Sequence, residues 1–310
     1  MSTKPSSLSA TEAGPASSTS PAPLPPLRRR SRTTAVTTSS PCPPAGPAPT
    51  AKHPLTAPRG REAQYLRRAD SLAAGGQIDK ALAHLRKLVA MVPHSPHGYL
   101  RIATLLRRER RPDEALDALR EAARCAPDSL APHEALAETY LETGRWDAAV
   151  HEARLLLKLS PRSLFARDVL SAAYLQKGLL DRALSVTNEM IRLDPSDATN
   201  HFKRGVLLQQ KGLVGAAVQA FSRVLDMDPD PEVAEESQAA LEMLDGYQIR
   251  QILTLAVEEV PFRLRLLRDP CEAIAERGYL LSDEGLSALA QVGFDDLPQA
   301  PPGWRHYLYH

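Results

Sequence analysis

The fold is decided by a stretch in the middle of the chain, residues 130–163, which reads LAPHEALAETYLETGRWDAAVHEARLLLKLSPRS. Apolar residues recur at helical spacing on both sides of Gly144, and Pro161 follows the last of them. Glycine is favoured at the end of one helix, and proline cannot continue another. The stretch therefore predicts two helices joined by a tight turn.

The same pattern recurs at a step of 34 residues on both sides of this stretch. The prolines that end the second helix are Pro93, Pro127, Pro161, Pro195 and Pro229. The buried alanine of the second helix is Ala81, Ala115, Ala149, Ala183 and Ala217, and the small residue of the first helix is Ala69, Ala103, Ala137, Ser171 and Gly205. The turn residues are Gly76, Arg110, Gly144, Gly178 and Gly212, and each second helix opens with Asp79, Asp113, Asp147, Asp181 or Gly215. Columns that agree on one period predict helix pairs stacked on one another.

These columns resemble the tetratricopeptide repeat, a helix-turn-helix unit of the same length. The resemblance implies an all-α, right-handed superhelical solenoid of five repeats over residues 61–231. The repeats are 62–95, 96–129, 130–163, 164–197 and 198–231. Arg110, Ser171 and Gly215 depart from the pattern, and we expect looser turns there within the same fold.

The flanking segments have different compositions. Residues 1–60 contain 13 Pro and 19 Ser or Thr, which predicts a disordered tail. Residues 232–245 are predicted to form a helix that caps the solenoid and ends at Gly246. Residues 246–310 are predicted to form a C-terminal helical segment with an aromatic tail.

Part of that segment, residues 251–291, resembles the leader regions of nitrile-hydratase-type ribosomal peptide precursors. The resemblance rests on an aliphatic helix, Asp269-Pro270 opening a second helix, a stop at Gly278, and Ser282-Asp283-Glu284 opening a third. It implies an alternative function, in which the chain is an accessory protein in ribosomal peptide modification and is recognised through these helices.

No nucleotide-binding, zinc-protease or hydrolase motif occurs in the sequence, so we expect neither catalysis nor a cofactor. His94 and His97 lack the further ligands that a metal would need. The three cysteines are far apart, which favours a reducing compartment. No apolar run is long enough to span a membrane. We therefore expect a cytoplasmic protein that binds a protein or peptide, and neither nucleic acid nor a membrane.

The family resemblance also implies a binding surface. In such repeats the second, fifth, sixth, ninth, twelfth and thirteenth positions of the first helix face a concave groove. The predicted partner-binding residues are Arg67, Arg101, Arg107, Arg108, Glu134, Glu138, Phe165, Asp168, Phe202 and Lys203. The groove would run from basic to acidic to apolar, although each charge is equally compatible with an ordinary solvated helix face. The sequence thus favours a non-catalytic scaffold that holds a peptide or helix.

Overall fold

The computed structural model describes Leu55, Pro58 and residues 60–227 and 229–294. The regular structure in this part of the chain consists of 14 helices, without a strand. Nearly all of the predicted disordered tail, and the whole aromatic tail at residues 304–310, lie outside the described residues.

The first ten helices form five consecutive pairs. The first helices of the pairs are α1 (Gly60–Ala74), α3 (Pro96–Arg108), α5 (Leu130–Glu142), α7 (Leu164–Gln176) and α9 (Ala198–Gln210). The second helices are α2 (Ile78–Met91), α4 (Pro112–Cys125), α6 (Trp146–Leu159), α8 (Leu180–Leu193) and α10 (Val214–Leu225). Each helix packs against its partner in the pair, and each second helix packs against the first helix of the following pair. The all-α solenoid is therefore confirmed.

The alanine column sets the register of the second helices. Ala81, Ala115, Ala149, Ala183 and Ala217 have no exposed surface at all. A buried side chain this small lets two helix backbones approach closely. The equivalent burial of all five confirms the register that the sequence predicts.

The turn of the second repeat is no looser than the others. Arg110 adopts φ 57, and its glycine counterpart Gly144 adopts φ 71. The backbone hydrogen bond that closes the turn is also equivalent, because Arg111 donates to the Leu106 carbonyl at 2.9 Å and Arg145 donates to that of Tyr140 at 2.8 Å. The expectation of a looser turn is wrong here. Instead, Arg110 accepts a left-handed backbone that costs a non-glycine residue about 1 kcal/mol.

Departures in the small-residue column are matched by changes sixteen residues later in the second helix. A Cβ atom on Gly205 would lie 2.7–2.8 Å from the Phe221 ring, which is fully buried. In the fourth repeat, Ser171 and Thr187 form a buried hydrogen bond of 2.9 Å. The third repeat has Ala137 at the first of these positions. Each departure thus fits the residue that faces it.

The capping helix does not end at Gly246. Helix α11 runs from Pro231 to Glu258 without interruption. An internal glycine costs a helix about 1 kcal/mol relative to alanine. Burial of α11 on both sides of Gly246 offsets this, since Leu241 and Leu244 pack under the fifth repeat and Ile252 packs in a separate C-terminal core.

Three short helices complete the C-terminal core. They are α12 (Val260–Arg268), α13 (Pro270–Glu276) and α14 (Asp283–Ala290). Asp269 and Ser282 cap α13 and α14 as the sequence predicts, because their side chains accept hydrogen bonds from backbone N–H groups three residues later. Pro261 lies in the first turn of α12, where a proline is tolerated.

Two polar side chains of α11 fasten this unit to the long helix. The Asp245 carboxylate accepts hydrogen bonds from the backbone N–H of Ser282, at 3.0 Å, and from its hydroxyl. The Gln248 side chain accepts from the N–H of Leu280 at 2.9 Å and donates to its carbonyl at 2.7 Å. Buried polar groups that are satisfied in this way fix one orientation of the segment.

Candidate protein-interaction groove

The predicted partner-binding residues all lie on the first helix of a repeat. We call the surface formed by α1, α3, α5, α7 and α9 the first-helix face. Side-chain ion pairs join α1 to α3, α3 to α5 and α7 to α9, and they involve half of the predicted residues.

Three sets of ion pairs connect neighbouring first helices. The first joins Arg101 to Asp70 at 3.2 Å. The second joins Arg107 to Glu138 at 3.0 Å and to Glu142 at 2.5 Å.

The third set joins Lys203 to Asp168. Partly exposed pairs of this kind each stabilise a protein by about 0–1 kcal/mol. Their larger effect is that Arg101, Arg107, Glu138, Asp168 and Lys203 already have partners within the protein.

Phe202 differs from its prediction as an exposed groove residue. Its side chain is only 6% exposed, and its ring centroid lies 5.6 Å from that of Phe221. The core around it includes Leu241 and Leu244 of α11, so the helix that follows the fifth repeat covers this position. Phe165 is half-buried and packs at the edge of the main core.

Three of the predicted charged residues have no ion pair or hydrogen bond within the described part of the chain. Arg67 and Arg108 are exposed. Glu134 is only half-exposed, and burial raises the pKa of its carboxyl group. A carboxylate that is partly desolvated and unpaired costs free energy.

The sequence of the next repeat explains why Glu134 has no counter-ion. Asp168 holds the fifth position of its repeat and pairs with Lys203 at the sixth position of the following one. Glu134 holds the same fifth position one repeat earlier, but the sixth position that follows it is Val169, which is fully buried. The charge of Glu134 is thus left available at the centre of the face.

A groove of about 530 Å³ opens on the same face between α1 and α3. Leu66 and Leu100 form apolar parts of its lining, and Arg67 and the Asp70–Arg101 pair supply charges. A concave lining that combines apolar side chains with charged groups can receive a side chain from another molecule.

Tetratricopeptide repeat family models match residues 66–129, 106–167 and 170–242. The chain belongs to the tetratricopeptide repeat family.

Solved structures of other proteins are similar to part of this chain. The MamA protein is 19% identical, with a TM-score of 0.50 over 54% of this chain and 91% of that one. Residues 41 to the end of MamA from Desulfovibrio magneticus RS-1 are 16% identical, with a TM-score of 0.49 over 54% and 94% of the two chains. YrrB, described as a TPR protein with an unusual peptide-binding site, is 20% identical, with a TM-score of 0.48 over 56% and 90%. Identities this low show the fold alone. No curated protein sequence matches the chain.

A contact that the sequence analysis missed recurs at the fourth position of the tetratricopeptide repeats. There the side chains of His133, Arg167 and His201 reach back to the carbonyl oxygens of Pro127, Pro161 and Pro195, at 3.0, 2.9 and 3.4 Å. The contact joins the start of one repeat to the linker that precedes it. The signal that could have revealed it is a polar residue six positions after the repeat proline.

The pKa values of the two histidines of this set are shifted in opposite directions. Burial opposes the charged form of His133, but hydrogen bonds to Glu152 and to the Pro127 carbonyl, together with the charge of Glu152, raise its pKa overall. Burial also dominates at His201, where nearby arginines add to it and the pKa is lowered. Equivalent positions in two tetratricopeptide repeats therefore respond to acid in opposite ways.

Across the described ranges, 60–227 and 229–294, no three His, Cys, Asp or Glu side chains are grouped closely enough to hold a metal ion. Within the same ranges, no helix is both long and apolar enough to cross a membrane.

Proposed function

We propose that this tetratricopeptide repeat protein is a non-catalytic scaffold, and that a peptide or helix of another protein binds its concave first-helix face. Proteins of this family bind protein or peptide partners. The observation that carries the proposal here is the unpaired, half-buried carboxylate of Glu134 on a face where most other charges are already paired. As part of the same proposal, the chain needs no cofactor or metal.

Three further side chains support this location. Arg67 and Arg108 are exposed without a partner in the described structure, and Phe165 presents part of an aromatic ring at the edge of the core. Partly exposed aromatic and arginine side chains are enriched at sites where proteins contact one another.

The test compares partner capture by charge-reversed variants with capture by the full-length protein. Arg67→Glu and Glu134→Arg change the first-helix face. Their matched controls are Lys87→Glu, on the exposed surface of α2, and Asp128→Arg, in the linker before α5. Affinity purification and quantitative mass spectrometry should show partners lost from the first two variants and retained by the controls. Equal capture by all four variants would refute the proposal.

The alternative function, recognition of residues 251–291 by a peptide-modifying enzyme, receives less support. Apolar residues of this segment, among them Ile252, Phe262, Leu266 and Ile274, are buried together in the C-terminal core. Asp245 and Gln248 further tie the segment to α11. A leader that is read in an extended form would first have to be released from this core.

A further inference from the structure

Two of the predicted charges that have no partner in the described part of the chain, Arg67 and Glu134, are of opposite sign and lie on different repeats. Arg67 lies on α1, in the groove beside Leu66 and Leu100. Glu134 lies on α5, two repeats further along the chain. Between them on α3, Arg101 is paired with Asp70, and Arg107 is paired with Glu138 and Glu142. Arg108 at the end of the same helix is exposed and has no partner in the described part of the chain.

The distance between Arg67 and Glu134 determines how long a peptide must be to contact both side chains. Packed helices lie about 8–10 Å apart, so two steps from α1 to α5 separate Arg67 from Glu134 by roughly 20 Å. An extended chain advances about 3.3 Å per residue and covers this distance in about six residues. A helical segment would need about 13 residues for the same span.

The unpaired state of Glu134 indicates the charge of the group that faces it. Its carboxylate is partly desolvated, and no basic side chain of the described structure compensates it. A Lys or Arg side chain of a ligand would supply the missing partner, and an acidic side chain would do the same for Arg67. Hydrogen bonds to charged groups are the stronger ones in such contacts.

We propose that the first-helix face binds an extended peptide segment with an acidic side chain at Arg67 and a Lys or Arg at Glu134, about six residues apart. This rests on the proposed function, because it specifies the ligand of the same face. Between these two contacts the segment would pass over α3, where Arg101 and Arg107 already have partners within the protein.

The experiment uses the full-length protein and an immobilised array of 15-residue peptides. Each peptide carries one Glu and one Lys in an Ala/Ser/Leu background, in either order, at separations from two to 13 residues. Peptides with two Glu or two Lys at the same separations serve as controls. We expect retention to peak at a separation near six, in one of the two orders, and to exceed that of the like-charged controls by about tenfold.

Two substitutions test the assignment of the charges. Glu134→Gln, which keeps the shape of the side chain, should remove the preference for Lys but keep that for Glu. The double reversal Arg67→Glu/Glu134→Arg should exchange which of the two peptide orders binds better. Lys87→Glu and Asp128→Arg are again the controls and should leave the preference unchanged.

The outcomes separate this inference from the function on which it rests. If natural partners still require the first-helix face but the array shows no charge order, or an optimum near 13 residues, the inference is overturned and the scaffold function stands. Absence of any retained peptide also counts against it. If the charge-reversed variants of the first-helix face capture the same partners as the unchanged protein, the proposed function fails as well.

Discussion

Leu280, between α13 and α14, lies directly against Gly215 in the first turn of α10: a Cβ atom at position 215 would be 3.3 Å from that of Leu280. In earlier repeats an aspartate near this position pairs with a base of the following repeat. These pairs are Asp113–Arg145, Asp147–Lys177 and Asp181–Lys211. The fifth repeat has no successor, and Leu280 of the C-terminal unit packs there instead.

Restoring the aspartate should therefore harm the fifth repeat. Gly215→Asp forces a side chain and a charge against Leu280, and we expect a loss of about 1–3 kcal/mol in the free energy of unfolding. The substitution should also increase the rate of amide hydrogen exchange in α12–α14 more than in α1–α4. Asp181→Gly is the matched change in the fourth repeat. It removes only a partly exposed ion pair and should cost less, so equal destabilisation by both would contradict the assignment.

Adding a single methyl group at position 205 should also be destabilising. The Cβ of Gly205→Ala would collide with the buried Phe221 ring, and we expect a loss of about 1–3 kcal/mol although alanine favours helices. Adding Phe221→Leu should recover part of this loss, since Ala103 and Leu119 occupy the equivalent positions in the second repeat. Chemical denaturation measures both effects.

In contrast to Gly205→Ala, we expect Gly246→Ala to stabilise the protein. The nearest neighbour of its Cβ would be the Arg250 side chain at 3.7 Å, so space is available. Because position 246 lies inside α11, the substitution should stabilise the protein by about 0.5–1 kcal/mol. A loss of stability would indicate that α11 is broken at this point.

Replacing Arg110, the left-handed turn residue of the second repeat, by glycine should stabilise the protein. Arg110→Gly removes the strain of φ 57 and should raise the free energy of unfolding by about 1 kcal/mol. Gly144→Ala, at the same position of the third repeat, should lower it by a similar amount. Thermal unfolding of the two variants should shift in opposite directions.

His133 and His201 should give stability opposite dependences on pH. The pKa of His133 is raised in the folded state, so its contribution is fully present below the unfolded pKa of about 6.5 and is lost as the pH rises through the folded pKa. The pKa of His201 is lowered, so the folded protein loses stability as the pH falls below the unfolded pKa.

Denaturant titrations at about pH 5.5 and pH 8 measure this difference. His133→Gln should be more destabilising at the lower pH, and His201→Gln less destabilising there. The same dependence for both variants would contradict the opposite environments of the two rings.

Neutralising Glu134 should stabilise the unliganded protein. Its pKa is raised by burial, so the folded state is penalised above the folded pKa and relieved below the unfolded one. Glu134→Gln should therefore raise the free energy of unfolding at neutral pH, by about 0.5 kcal/mol or less for a half-exposed side chain. Asp168→Asn should instead lower it, because Asp168 is paired with Lys203.

The periodic columns predict the first ten helices, since each column has a local physical role that is repeated five times. They could not predict that α11 continues through Gly246, because that depends on burial against two separate cores. The resemblance predicts partner-binding residues on the first helices, and all ten predicted residues lie on those helices. It could not show which charges are paired, since Arg101–Asp70 and Lys203–Asp168 depend on neighbours more than 30 residues away. Nor could it show that α11 buries Phe202.

The packing of α11 and Leu280 on the fifth repeat has a consequence for copies of the chain that meet in solution. Arrays of stacked helix pairs can in principle grow head to tail, with the first pair of one molecule continuing the last pair of another. Here the last pair is already covered by the chain's own residues. Filament growth at this end would first have to displace them, so α11 and Leu280 oppose head-to-tail association there.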